Sequence, residues 1–318
     1  MNNQTTATEF LLMAFSDDRD VQVLHSVVFL FIYLTALVGN FLIVTTVALD
    51  HHLHSPMYFF LTSLSFLDVC YISTTVPKSI AISLTNNKLI SFAGCVTQVF
   101  LVITFAGTEI ALLTVMAYDR YIAICYPLQY RLIMNWEACI QMAAASWLSS
   151  MVNALLETTV TFRLSFCHSN IIGQFFCDLP QLQKISCSDT KVSEVLPFVI
   201  GLIVASFCIV FIFVSYGFIF SVVLRIPSAQ GRYKAFSTCT PHLTVFSLFI
   251  ITAVFSTLRP KSLSSPAVDL VSAVLYTVLV PPMFNPVIYS MRNKEIKNAL
   301  SKLLGLSLEA VMETNTVL

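Results

Sequence analysis

Seven long apolar stretches divided by short polar breaks run the length of the chain, at about 23–50, 57–83, 92–125, 138–160, 195–225, 235–258 and 268–291. Each reaches the ~20 residues that an α-helix needs to cross the hydrocarbon core of a bilayer. The pattern predicts an all-α membrane protein built as a seven-transmembrane helix bundle. Span two carries an acid, Asp68, within its apolar run, and span four is the least hydrophobic of the set. Beyond span seven, Ile296, Leu300, Leu303 and Leu304 fall on one helical face, flanked by Lys294, Lys297 and Lys302. This spacing predicts a short amphipathic helix lying on the inner leaflet. The chain thus divides into an outer N-terminus (1–22), a transmembrane domain (23–291) and an inner amphipathic helix and tail (292–318).

An odd number of spans puts the two ends on opposite sides, and the basic residues decide which is which. Before span one, Arg19 stands against Glu9, Asp17, Asp18 and Asp20; after span seven come Arg292, Lys294, Lys297 and Lys302. Basic residues stay on the cytoplasmic side, so the N-terminus is expected outside. The start, MNNQTTATEF, lacks the basic n-region of a cleavable signal, so span one is expected to direct insertion itself. Asn3 opens an N-glycosylation sequon, Asn3-Gln4-Thr5, on that outer side. The long loop from Phe162 to Glu194 also falls outside and holds Cys167, Cys177 and Cys187, with Cys95 at the outer end of span three. Four cysteines on an oxidising face allow three disulfide connectivities. Cys70, Cys125, Cys139, Cys208 and Cys239 lie in or at the inner ends of spans and read as small buried hydrophobes.

Composition supports the membrane reading and narrows the function. Of 318 residues, 57% are hydrophobic and 11% charged, against about 25% charged in a soluble domain. The mean hydropathy is +0.81. The net charge of zero gives no reason to expect a nucleic acid partner. No phosphate-binding, nucleophile-elbow, zinc-protease or paired-cysteine motif is present, so no constellation supports an enzyme. His51, His52 and His54 cluster in the first inner loop, but no further ligand besides Asp50 completes a metal set. Leu270 to Met291 holds no lysine, which rules out a retinal Schiff base in that helix.

The polar residues that interrupt the spans carry the chemistry. Span three ends in MAYDRYIAICYP, Met116 to Pro127, where Asp119, Arg120 and Tyr121 meet water at the inner side. A charge at bilayer depth costs roughly 2.5–3.5 kcal/mol, so it must pair, reach the interface or serve a switch. Asp68 and Glu109 are mid-span acids on neighbouring spans. Brought together, they would share a proton or hold a cation such as Na+; the plainer alternative is two protonated acids hydrogen-bonded between helices. In span seven, Pro286 removes a donor and frees the carbonyl of Pro282, and Asn40 of span one is a polar partner across the bundle. Here a static kink is the alternative.

These residues, taken together, resemble a rhodopsin-like G-protein-coupled receptor, and specifically an olfactory receptor of the land-vertebrate class. The general receptor marks are Gly39-Asn40, Asp68, Cys95, Asp119-Arg120-Tyr121, Trp147 and Asn285-Pro286 with Tyr289. The odorant-family marks are LHSPMY at 53–58, MAYDRYIAICYPLQY at 116–130, Ser215-Tyr216, KAFSTC at 234–239 and PMFNPVIYSMRNKEI at 282–296. The match covers nearly the whole chain. It implies a Cys95–Cys177 bridge from span three to the outer loop and a Cys167–Cys187 bridge within the loop. It implies that Arg120 faces a cavity where a stimulatory, olfactory-type G protein docks and raises cAMP, with Asp119, Tyr121, Tyr216, Asn285, Pro286 and Tyr289 in the same switch. It also implies a plasma-membrane location, in the cilia of olfactory neurons.

The resemblance further implies a ligand pocket in the outer half, between spans three, five, six and seven. Counting from the matched motifs, its lining is Val102, Ile103, Ala106, Gly107, Ile200, Val204, Ile250, Ala253, Val254, Thr257 and Tyr276. Only Thr257 and Tyr276 offer hydroxyls, which suits a small, weakly polar volatile. Two positions depart from the family pattern. Pro241 replaces the usual serine before His242, and is expected to bend the inner part of span six. Phe249-Ile250-Ile251 stands where many members carry Phe-Tyr-Gly. A channel or transporter using Asp68 and Glu109 as its path predicts a ligand-gated current without a G protein. A non-olfactory receptor predicts a more polar, charged outer pocket.

Overall fold

The computed structural model describes residues 9–13, 16, 18–166, 170–186, 191–258, 271, 274–275, 282–303 and 305. Span one is the helix Arg19–Leu49, span two Pro56–Thr85, span three Phe92–Cys125, span four Trp136–Phe162, span five Lys191–Val223 and span six Ala229–Leu258. Of these, six segments are long and apolar enough to cross a membrane among the described residues. Span seven lies largely outside the description; its inner part is a π-helical turn at 282–284 running into the helix Asn285–Arg292. The amphipathic helix follows at Lys294–Leu303.

Polar side chains fix where the helices begin. Asp18 accepts from the Asp20 N–H at 2.9 Å, Ser91 from Gly94 at 3.1 Å and Asn135 from Ala138 at 2.9 Å, each satisfying an amide that the first turn leaves open. Pro56 opens span two, where a missing N–H is harmless. Asn86 closes the same span in the left-handed region, at φ 55°. Pro77 and Pro241 both lie inside helices that continue through them.

The largest core runs down the middle of the bundle, where Leu61, Leu64, Leu112, Leu113, Ile219 and Val245 are buried. The perimeter is apolar as well: Leu24, Phe31, Ile203 and Phe207 are exposed. In water this would be a liability; around a membrane bundle it is the lipid-facing surface. An outer cap, absent from the sequence expectations, closes the top. Strand β1 (Glu9–Leu12) lies at the centre of a three-stranded sheet, antiparallel to β2 (Leu89–Ser91) and parallel to β3 (Ile171–Ile172). Phe10 and Leu12 are wholly buried there against Cys95, Val99 and Cys177. Arg19 pins the neighbouring chain by donating to the Ser83 and Leu84 carbonyls at 3.0 and 2.8 Å.

Candidate functional site

At the inner end of span three Asp119 is fully buried and both its oxygens are taken. Arg120 grips Oδ2 through Nη2 and through Nε, the latter at 2.9 Å. Tyr130, on the short inner helix Tyr130–Ile133, donates to Oδ1 at 2.7 Å. Burial first, then the Asp119 carboxylate beside it, raises the Tyr130 phenol above its ordinary value. The Arg120–Asp119 pair is therefore closed, and a loop residue holds the acid from its far side. Tyr121, by contrast, turns outward, tilted against Phe218 of span five and edge-on to Tyr126, with a long 3.4 Å bond to the Tyr126 hydroxyl.

A second link joins spans three, five and six. His242 Nε2 is 2.9 Å from the Leu113 carbonyl oxygen, which can only accept. That bond puts the proton on Nε2, leaving Nδ1 to accept from the Tyr216 hydroxyl at 2.8 Å. Tyr216 and His242 are buried, and Cys239 lies one turn below. His242 was not assigned a role from sequence, although its position beside Pro241 in a helix of apolar neighbours is the kind of buried polar group that marks function.

The mid-membrane polar cluster brings the predicted acids and the broken helix together. Asp68 and Glu109 are wholly buried, near enough for the Asp68 charge to reach the Glu109 carboxyl. Asn285 Nδ2 donates to Asp68 Oδ2 at 3.0 Å. Asp68 Oδ1, both Glu109 oxygens, Asn285 Oδ1 and the Tyr289 hydroxyl have no hydrogen-bond partner among the described residues. Asn40 donates to the Pro282 carbonyl at 2.8 Å and to Ala36 at 3.0 Å. That is the carbonyl which Pro286 leaves without its helical donor. Pro286 itself packs on Gly39, where an added Cβ would lie 3.2 Å from the ring.

On the outer side Cys95 and Cys177 form a disulfide, with Cα atoms 5.5 Å apart. Gln98 braces it, accepting from the Cys177 N–H at 2.8 Å and donating to the Thr74 carbonyl at 2.9 Å. Cys167, Cys187 and Asn3 lie outside the described residues, as do Tyr276 and the Thr257 side chain.

The expected ligand-lining residues do not all share one wall. Val102 packs beneath the outer loop near Phe175 and Phe176, and Ile103 packs toward the Cys95–Cys177 cluster. Ala106, Ile250 and Ala253 are half-buried, whereas Ile200, Val204 and Val254 stand exposed. Gly107 faces span four: a Cβ there would lie 3.1 Å from Ser150 Oγ, so its smallness serves a helix–helix approach. A cavity of about 440 Å3 opens between spans five and six, deeper than the expected pocket and sharing only Ile250 with it. Sequence reasoning also missed Glu157, an acid in the outer half of span four, 8% exposed. Asn153 donates to it at 2.8 Å, and Gly201 of span five makes room for its carboxyl.

Known proteins are similar to this chain in sequence and in fold. The family model for olfactory receptors matches residues 29–306. The chain belongs to the olfactory receptor family. Human olfactory receptor 14A16 is 51% identical over 304 residues, covering 96% of this chain and 98% of its own. Human olfactory receptor 14C36 is 52% identical over 304 residues (96% and 97%), and human olfactory receptor 1C1 is 47% identical over 302 (95% and 96%). The crystal structure of squid rhodopsin superposes with a TM-score of 0.67 at 17% identity, covering 91% of this chain and 86% of that one, and it speaks for the fold alone. This olfactory receptor is therefore a multi-pass plasma-membrane protein with the rhodopsin fold. It is a receptor for small molecules that signals through a G protein, and not an enzyme.

Proposed function

We propose that this receptor binds small, mostly apolar volatile molecules in the outer half of the bundle. Binding releases Arg120 from Asp119 and lets a stimulatory, olfactory-type G protein dock and raise cAMP. The observation that carries the reading is the closed pair at the inner end of span three, held by Arg120 on one oxygen and Tyr130 on the other. A buried ion pair of this kind contributes little stability beyond its own desolvation, which favours a switch over a brace. The ligand would lie among Val102, Ala106, Ile250 and Ala253, an apolar set that supplies area rather than hydrogen bonds, with Thr257 and Tyr276 as the only expected hydroxyls. A cAMP reporter in cells expressing the receptor, challenged with a broad panel of volatiles, tests this directly. Neutral, weakly polar compounds should activate it; a response confined to charged acids or amines contradicts the pocket.

The mid-membrane cluster suits a sodium ion. Asp68 Oδ1, the Glu109 oxygens and Asn285 Oδ1 are buried acceptors in need of a cation or proton, and hard oxygen donors match a hard cation. Na+ held by Asp68 and Glu109 would balance their charge and favour the resting packing of spans two, three and seven. Replacing sodium by choline outside the cell should then raise sensitivity to ligand in the wild type but not in Glu109→Gln. No sodium dependence in the wild type would mean that the two acids simply share protons, and equal dependence in both would place the sodium effect elsewhere.

A further inference from the structure

Three side chains with no part in the switch as described fasten the inner end of span seven to span two. Tyr58 lies in the first turn of span two and is only 3% exposed. Its hydroxyl donates to Glu295 Oε2 at 2.5 Å and accepts from Asn293 Nδ2 at 3.2 Å. Asn293 is the extended residue between the helix Asn285–Arg292 and the amphipathic helix. Its Oδ1 accepts from the N–H groups of Glu295 and Ile296, at 3.0 and 3.3 Å. One end of this amide therefore caps the amphipathic helix while the other holds Tyr58. Glu295 stands in the first turn of that helix, where a carboxylate also meets the positive end of the helix dipole. A hydroxyl bonded to a carboxylate is the short, charge-assisted kind. Tyr58 is also close enough to Arg120 for the guanidinium charge to be felt at its oxygen.

We propose that Tyr58, Asn293 and Glu295 form a latch that holds span seven and the amphipathic helix to span two in the resting receptor, and that the latch must open before the G protein is engaged. Tyr58 is a positioning residue in this device. It acts through the placement of span seven and through Arg120. The asymmetry of burial gives the latch its direction. Glu295 is exposed and returns to water on release, whereas the buried Tyr58 hydroxyl must find another partner. Arg120, once free of Asp119, is the charged group beside it. The proposal rests on reading the Asp119–Arg120 pair as the resting switch.

The test uses the full receptor in cells, with basal cAMP normalised to surface density. Tyr58→Phe removes the bond and Glu295→Gln strips it of its charge, and each should raise basal signal roughly three- to tenfold. The double variant should match the stronger single variant, because both act on one contact. Hydrogen exchange on receptor in nanodiscs should speed up over residues 293–303 in either variant and stay unchanged in span four. If Tyr58→Phe fails to reach the surface, Glu295→Gln carries the test, since it keeps its size on an exposed helix face. Basal signal unchanged or lowered in both variants, or additive effects in the double, overturns the latch. Asp119→Asn serves as the control for the switch. If it raises basal signal while the latch variants do not, the latch falls and the switch stands. If the latch variants raise basal signal and it survives Arg120→Ala, the latch holds span seven without acting through Arg120, and the switch reading falls.

Discussion

Asp119 meets two donors on two different oxygens, and the second donor makes the inner switch depend on a loop. Tyr130→Phe keeps the ring and removes only the bond at 2.7 Å. Bonds to charged groups contribute about 1.5–3 kcal/mol, so a loosened Asp119 should shift the resting balance and raise basal cAMP several-fold at equal surface density. Basal signal identical to wild type would assign Tyr130 a packing role only. Glu157 offers a second residue-scale prediction. A Cβ on Gly201 would stand 2.6 Å from its carboxyl oxygen, so Gly201→Ala should push that flexible carboxyl off its Asn153 bond and destabilise by about 0.5–1.5 kcal/mol. The receptor should reach the surface less well and melt earlier in detergent, and Glu157→Ala added to it should restore both. Failure of that rescue would contradict the contact. The acids and Arg120 were legible in the sequence because charge stands out in an apolar run. Tyr130 and Glu157 were not. A tyrosine hydroxyl that reaches across a turn has no periodic signature, and span four is polar enough to hide one more acid.

At the scale of elements, six helices fall close to their sequence-based bounds, and span three coincides with them at 92–125. Span six begins earlier than the apolar run, at Ala229, because its first turns extend into polar ground where hydrophobicity gives no signal. The capping sheet was invisible for a different reason. EFLL is four residues long, and its pairing partners lie about 80 and 160 positions away, beyond any local pattern. Its importance is testable. Phe10→Asp places a charge in the buried outer cluster and should reduce surface expression as strongly as Cys95→Ser, whose lost bridge typically costs about 2–5 kcal/mol. Normal expression and thermal stability of Phe10→Asp would mean that the sheet decorates the bundle without holding it. Span six carries the remaining element-scale prediction. The helix continues through Pro241, which cannot donate to the Ser237 carbonyl. Pro241→Ser restores a donor, stiffens the segment beside the His242–Tyr216 link and should lower both basal and evoked cAMP. Unchanged signalling would remove Pro241 from the mechanism.

Across the whole molecule, polar groups form three tiers: the braced disulfide at the outer face, the Asp68–Glu109–Asn285 cluster at mid-depth and the Asp119–Arg120–Tyr130 cluster at the inner face. The outer and middle tiers join parts of the chain that the sequence separates by 82 and 217 positions, whereas the inner tier is local, with Tyr130 11 positions beyond Asp119. A ligand in the outer half can reach the inner tier only by changing which packing of these spans is favoured, by as much as its affinity differs between the two states. The bundle and the placement of its charges could be read from the chain, since both follow from hydrophobicity. The routes between tiers could not, because they run through single contacts such as His242 with Leu113 and Asn40 with Pro282. The most direct test of the account measures volatile-evoked cAMP in the wild type and in Arg120→Ala at matched surface density. The account predicts a dose-dependent rise in the wild type and a response no greater than that of untransfected cells in Arg120→Ala. A full response from Arg120→Ala would contradict it.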